Sequence, residues 1–129
     1  MEEAFVAALL AAPALSDLVL TRIWWAQRPQ GSALPAIVLH RIAGAGVGDV
    51  MDGHDGLHFA LLQIDAWALT YAAAKTASRA VRAALASPTD ARFEGHFITA
   101  ERDDLDPAAD GKPTLFRTSL DVRVWFLEP

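Results

Sequence analysis

Histidine is the side chain best suited to metal binding or acid–base catalysis near neutral pH, and the chain has four: His40, His54, His58 and His96. A metal site usually combines closely spaced imidazoles with a carboxylate. Only His54 and His58 approach that spacing, and they straddle the junction of a loop and a strand rather than one face of a helix. We therefore predict no metal site and no cofactor, and interpret the histidines as loop or surface side chains.

Three aspartates, Asp49, Asp52 and Asp55, alternate with glycines in a pattern that slightly resembles a calcium-binding loop. They lack the alternate-position spacing and the closing glutamate of an EF-hand, so a solvated loop is the default interpretation. A second acidic run is also expected to be solvated, as most blocks of like charge are. It comprises Asp103, Asp104, Asp106 and Asp110.

No other motif predicts catalysis. The glycines of segment 43–56 are not followed by a G-x-G-x-x-G pattern or a P-loop lysine, and the segment leads into a strand. There is no G-x-S-x-G nucleophile elbow, and the chain has no cysteine to act as a nucleophile. We therefore predict a protein that is not an enzyme and has no catalytic residues.

Four charged residues in two predicted strands are candidates for a structural role. Asp65, Asp121, Arg117 and Arg123 alternate with apolar neighbours. Such residues can form cross-strand ion pairs, which we favour over general acid–base catalysis.

The composition indicates one domain, residues 1–129, with no membrane span. The longest apolar run, residues 4–12, ends at Pro13 and is far shorter than the roughly 20 residues that a membrane span requires. Glu2 and Glu3 precede it where a secretory signal needs positive charge, so we expect a helix of the mature fold. The net charge of −5 argues against a protein that grips nucleic acid.

The last predicted strand, residues 114–126, organises the fold. Its even positions are mostly apolar and its odd positions are mostly polar, which indicates a half-buried strand of an antiparallel sheet. Residues 57–68 repeat the pattern. In both strands, however, the more polar face also carries large apolar side chains: Phe59, Leu61, Trp67, Leu115 and Trp125.

These side chains predict a second apolar surface on the sheet. Each aromatic residue can bury on the order of 150–250 Å². Together they exceed the largest apolar patch that a monomer usually exposes, roughly 300–600 Å². We therefore expect either the segment of Trp24 and Trp25 or another subunit to cover this face.

The predicted fold is α+β, with a four-stranded, mostly antiparallel sheet and two helices packed on one face. Thr70 is the expected N-cap of the second helix, whose stripe of small side chains begins at Tyr71. The other predicted elements are a helix at 2–12, a turn at 17–21, an extended piece at 22–26, strands at 34–42 and 92–102, a helix at 71–86, and loops at 43–56 and 103–113. The loop at 43–56 is either mobile or orders only against a partner.

Five short strings occur in this order along the chain: RI at 22–23, LPAIV at 34–38, QIDAW at 63–67, TYA at 70–72 and SLDVRVW at 119–125. Together they resemble the tail-completion, or tail-terminator, proteins of long-tailed phages, which have counterparts in gene transfer agents. Each string is ordinary strand or helix sequence, and their order carries the resemblance. The chain departs from the pattern at Trp24 and Trp25, where a tyrosine–proline type of pair is expected.

The resemblance implies a non-enzymatic virion protein that forms a hexameric ring. The ring would cap the head-proximal end of the tail tube, stop tube polymerisation and join the tail to the head connector, while DNA passes through without specific binding. The implied partners are sister copies, the tail tube protein and the connector or stopper protein, in the tail neck of a particle assembled in the bacterial cytoplasm. On this hypothesis the subunit and tail contacts involve Asp65, Trp67, Arg117, Asp121, Arg123 and Trp125, together with Asp49, Asp52 and Asp55.

Two alternatives remain open. A small ligand-binding or enzymatic α+β dimer would place His40, His96 and an acid in one concave pocket. Another neck or connector component of similar size would differ only in the neighbour that it contacts.

Overall fold

The computed structural model describes residues 2–29, 31, 33–46, 57–86, 93–109 and 111–127. The elements in chain order are α1 (Glu2–Leu10), α2 (Pro13–Val19), β1 (Ile23–Trp25), β2 (Ala36–Gly46), β3 (Leu57–Ala68), α3 (Tyr71–Ala86), β4 (Phe93–Asp106) and β5 (Leu115–Leu127). The strands form one sheet in the order β1-β2-β3-β5-β4. No described helix combines the length and the apolar character that a membrane span requires.

The predicted α+β class is confirmed, but the predicted number of elements is wrong. The sheet has five strands rather than four because the extended piece at 22–26 contains β1, which pairs in parallel with β2. Backbone hydrogen bonds hold it there, from Ile37 N–H to the Arg22 carbonyl (2.9 Å) and from Ala26 N–H to the Leu39 carbonyl (2.7 Å). A third helix, α2, forms at Pro13–Val19, where we predicted only a turn.

The acidic segment that we predicted as the start of a loop is instead the end of β4. Asp103 and Asp104 remain in the strand because cations on neighbouring elements pair with them. Lys75 Nζ lies 2.8 Å from Asp103 Oδ1, and Arg117 Nη2 lies 2.8 Å from Asp104 Oδ2. A run of like charge is therefore compatible with a strand when the neighbours supply the opposite charge.

Helix α3 begins where predicted, and its small side chains face the sheet. The Thr70 hydroxyl accepts a hydrogen bond from Ala73 N–H (3.1 Å), which is the expected N-cap. Tyr71, which we placed at the start of this stripe, is 51% exposed. The residues of α3 that are buried are Ala74, Ala77, Ser78, Ala80, Val81 and Leu85.

All three helices contribute to one hydrophobic core against a single face of the sheet. Phe5 from α1 packs edge-on against Phe93 of β4, with ring centroids 5.8 Å apart, and also contacts Trp25 of β1. The sheet contributes alternate residues of its strands, so that the even positions of β3 and β5 point toward the helices. The fully buried core includes Phe5, Leu9, Leu15, Val19, Ile37, Leu39, Leu62, Ile64, Val81, Leu120, Val122 and Phe126.

An ion-pair cluster fastens α3 to β4 at the edge of this core. Lys75 Nζ lies between Asp103 Oδ1 (2.8 Å) and Glu101 Oε2 (3.4 Å), and Arg82 Nη2 lies 3.2 Å from Glu101 Oε1. The hydrogen bond between Lys75 and Asp103 raises the pKa of the lysine and lowers the pKa of the aspartate. Partly exposed pairs of this kind each stabilise a fold by about 0.2–1 kcal/mol, so they orient α3 more than they anchor it.

Candidate interface on the helix-free face of the sheet

The opposite side of the sheet carries no described helix, and we call it the helix-free face. The register of β3 and β5 places Phe59 opposite Trp125 and Trp67 opposite Arg117. Paired residues share a face, so the odd positions of both strands lie here. The predicted second apolar surface is thus confirmed in its placement, and its large side chains are half-buried: Phe59, Leu61, Trp67, Leu115 and Trp125.

The two tryptophans of β1 do not cover this face, contrary to one of our two expectations. β1 is itself the edge of the sheet and pairs with Ile37, Val38 and Leu39. Trp25 points into the core, 6.5 Å from the ring of Phe5. Trp24 pairs with Val38 and so extends the helix-free face sideways.

A buried polar network occupies the middle of the helix-free face. Asp65 is only 2% exposed, and its carboxylate accepts hydrogen bonds from the Ser119 hydroxyl (2.6 Å) and from Gln63 Nε2 (2.9 Å). His40 Nε2 lies 3.3 Å from the second carboxylate oxygen. A buried carboxylate requires such partners, and these three side chains satisfy it within the sheet.

This network contains the residue types of a catalytic triad in an order that cannot activate the serine. In a triad the histidine lies between the serine and the acid and removes the serine proton. Here Asp65 lies between them, and the Ser119 hydroxyl donates directly to the carboxylate. The arrangement is suited to cross-linking β2, β3 and β5.

His96 does not join His40. Its ring lies on the helix side of the sheet, 5.8 Å from the ring of Phe5 and 5.2 Å from the ring of Phe93. Burial there lowers the pKa of the His96 imidazole. The two histidines required by the ligand-binding alternative are therefore on opposite faces.

Two of the four charged residues that we singled out, Arg117 and Asp121, form cross-strand ion pairs, and both pair with β4 rather than with one another. Arg117 Nη2 pairs with Asp104 (2.8 Å), and its guanidinium lies 5.3 Å from the centroid of the Trp67 ring. Arg102 Nη1 pairs with Asp121 Oδ2 (2.7 Å) and Arg102 Nη2 donates to Gln63 Oε1 (3.3 Å). Arg123 has no ion pair with the described residues, and the contact between Asp65 and His40 is an ion pair only when the histidine is protonated.

At the other end of the face lies a cluster that we call the aromatic end: Phe59, Phe97, Arg123 and Trp125. The rings of Phe59 and Trp125 are 5.5 Å apart. Phe97 is 57% exposed, and its ring lies so close to Gly95 that a Cβ at that position would meet it at 3.0 Å. An exposed arginine among exposed and half-buried rings is a combination typical of protein interfaces.

Two open grooves lie at the Trp67 end. One, of about 360 Å³, is lined by residues that include His40, Asp65, Trp67 and Arg117. The other, of about 820 Å³, shares Arg28, Asp106 and Leu115 with the first. Within the described ranges, no group of three or more histidine, aspartate and glutamate side chains could hold a metal ion.

The predicted contact residues are partly brought together. Asp65, Trp67, Arg117, Asp121, Arg123 and Trp125 all lie on the helix-free face. Asp49, Asp52 and Asp55 lie outside the described residues, as does His54. The sequence analysis did not single out Ser119 or Phe97 as contact residues. Ser119 lies opposite Asp65 in the register of β3 and β5, so an alignment of these two predicted strands could have identified it.

A small α+β domain with internally paired charges and an aromatic face that no described helix covers has the properties of a subunit that functions within a larger assembly. The family model for tail completion protein gp17 matches residues 3–127, and the chain belongs to this family. This confirms the resemblance found in the sequence and supports a structural role in a tail.

The chain is also similar to a chain in a solved structure described as the virion of a native gene transfer agent (GTA) particle. The two chains are 26% identical, the match covers 95% of this chain and 92% of that chain, and the TM-score is 0.65. A comparison with curated protein sequences found no significant match. Family and structure together identify this chain as a tail component of a phage or phage-like particle.

Proposed function

We propose that this protein forms a hexameric ring that caps the head-proximal end of the tail tube. The ring ends tube polymerisation and joins the tail to the head connector, and it acts structurally rather than as an enzyme. The observation that carries the proposal is the helix-free face, where Phe59, Trp67 and Trp125 lie under no described helix. Sister copies and tail proteins are the natural occupants of such a surface in a tail completion protein.

The charge of the chain is compatible with this place in the particle. A net charge of −5 disfavours binding to phosphates, so that DNA passes through the ring without being held. The partners in the neck are then the tail tube protein below and the connector or stopper protein above. Assembly takes place in the bacterial cytoplasm, where the tail and the head are joined.

One observation favours a second candidate function, a small ligand-binding dimer. The groove of about 360 Å³ brings His40, Asp65, Trp67 and Arg117 together around a concave surface. Two observations count against it. His96 lies on the other side of the sheet, and the Asp65 carboxylate already accepts hydrogen bonds from Ser119 and Gln63. The remaining alternative is another neck or connector component of similar size. It differs from the main proposal only in the proteins that it contacts, so cross-linking in assembled particles would distinguish the two.

The proposal is tested by sizing and by deletion. Light scattering of the purified chain should give about six copies, either alone or with tube protein present. Deleting its gene should leave tails of irregular length that carry no heads, and the wild-type gene should restore them. A strictly monomeric protein, together with normal particles in the deletion strain, would refute the proposal. A dimer that retains a small molecule on purification would support the second candidate instead.

A further inference from the structure

We propose that neighbouring copies are joined by backbone pairing between two free sheet edges, the end of β4 in one copy and residues 40–46 of β2 in the next. The inference rests on the ring of the proposed function and names the contact that builds it. The partner is a second copy of this chain, bound through its main chain as an added strand.

Neither edge pairs with another strand in the described part of the chain, although the Leu105 N–H on β4 donates to its neighbour Asp104 Oδ1 (2.8 Å). β4 is the last strand of the sheet and pairs only with β5, along Phe93–Asp106. β1 covers β2 only at Ile37, Val38 and Leu39, and no other described strand pairs with residues 40–46 on that side. Long free edges are sites of strand addition, and a stable protein leaves them open only for a partner or protects them with charge.

The strand directions of the two edges are complementary. β2 is antiparallel to β3, β3 to β5, and β5 to β4, so β4 runs antiparallel to β2 within one copy. Placing the next copy in the same orientation therefore sets its β2 edge antiparallel to β4. The contact joins two different surfaces, which is the kind of contact that generates a closed ring.

β1 determines which part of β4 can bind. It occupies the position beside Ile37, Val38 and Leu39. The β4 strand of a neighbouring copy can therefore pair with β2 only from His40 onward. The last residues of β4, 100–106, follow the bulge between Ile98 and Ala100 and match residues 40–46 in length. Only this part of β4 fits beside residues 40–46 without overlapping β1.

The resulting register is fixed by the equal lengths of the two segments. It sets Asp106 opposite His40, Leu105 opposite Arg41 and Asp104 opposite Ile42. Leu105, which is 48% exposed, lies diagonally beside Ile42, which is 50% exposed and sits at the bulge of β2. The acidic residues of β4 disfavour pairing between two β4 edges, whereas His40 and Arg41 oppose them with no like charge.

The experiment uses the absence of cysteine from the chain. Ile42→Cys and Leu105→Cys are introduced together, and the assembled protein is treated with a short bis-maleimide. A denaturing gel should show a ladder of covalent oligomers up to the size of the ring. Each single variant should stay monomeric on the gel. In a heterologous contact a residue never faces the same residue of the neighbouring copy, so a single cysteine has no partner to be cross-linked to.

A matched control combines Ile42→Cys with Leu69→Cys, since Leu69 is similarly exposed at 54% but lies on neither edge. It should give no ladder. The pair Ile42→Cys and Asp106→Cys repeats the test one residue away, in case the first pair disturbs folding. Thermal unfolding of each variant establishes that it is folded.

The outcomes separate this inference from the proposed function. Rings without a ladder from either pair would overturn the edge contact and leave the ring intact. Covalent dimers from Leu105→Cys alone would overturn it in favour of pairing between two β4 edges. A wild-type protein that never assembles would instead refute the ring itself.

Discussion

At the scale of single residues, His96 shows how packing changes the chemistry of a side chain. Its ring lies against Phe5 and Phe93 on the helix side of the sheet, and burial lowers the pKa of the imidazole below its ordinary value of 6.5. The same residue type at position 40 faces the other way and contacts the Asp65 carboxylate. Neither placement could be derived from residue spacing.

The lowered pKa of His96 predicts a loss of stability in mild acid. As the pH falls below about 6.5, His96 becomes protonated in the unfolded chain while it is still neutral in the folded chain. The free energy of unfolding should therefore decrease through this range and stop decreasing, for this group, below the folded-state pKa. His96→Leu should make the decrease between pH 7.5 and pH 5 smaller, as measured by urea unfolding at each pH.

Val81→Ala is the control, because it removes core volume without removing a titrating group. It should lower the free energy of unfolding by a similar amount at both pH values. If His96→Leu and the wild type lose the same stability on acidification, His96 is not the group responsible.

At the scale of elements, the small side chains of α3 determine how closely the helix approaches the sheet. Ala77 is fully buried in the core, whereas Ala83 on the same helix is exposed. Ala77→Leu should destabilise the fold by about 1–3 kcal/mol, because the added carbons have no space. Ala83→Leu should change stability by no more than about 0.5 kcal/mol.

Both substitutions change helix propensity equally, so urea unfolding monitored by circular dichroism isolates the effect of packing. Equal effects at the two positions would mean that α3 is free to shift away from the sheet. The ion pairs of Lys75 with Glu101 and Asp103 would then be the main link between α3 and β4.

At the scale of the whole molecule, the described helices all lie on one side of the sheet, and the aromatic end of the other face carries the exposed Arg123. If this end meets a sister copy, Arg123→Glu should weaken assembly by about tenfold or more in apparent dissociation constant, roughly 1.4 kcal/mol. The measurement is the concentration at which the ring dissociates, followed by mass photometry.

Arg79→Glu on α3 changes the net charge by the same amount on the helix side of the molecule and should leave assembly unchanged. Equal weakening by both substitutions would indicate a general charge effect. Wild-type assembly in the Arg123→Glu variant would place the aromatic end outside the contacts between copies.

The sequence by itself determined the α+β class, the strands β3 and β5, the cap at Thr70 and the family. These features are local, or they repeat with a period that neighbouring residues reveal: the alternation in residues 57–68 needs no knowledge of the partner strand. The second apolar surface followed from the same alternation, because Trp67 and Trp125 fall on the odd face of their strands.

Only the tertiary structure decided which charges meet, and which segments without a clear pattern become strands. β1 has three residues, too few to show a period. It forms a strand because its backbone hydrogen-bonds to the free edge of β2. The acidic end of β4 is a strand because Arg117 and Lys75, distant in sequence, neutralise it. Contacts between elements far apart in the chain carry no local signal, so their outcome depends on the assembled fold.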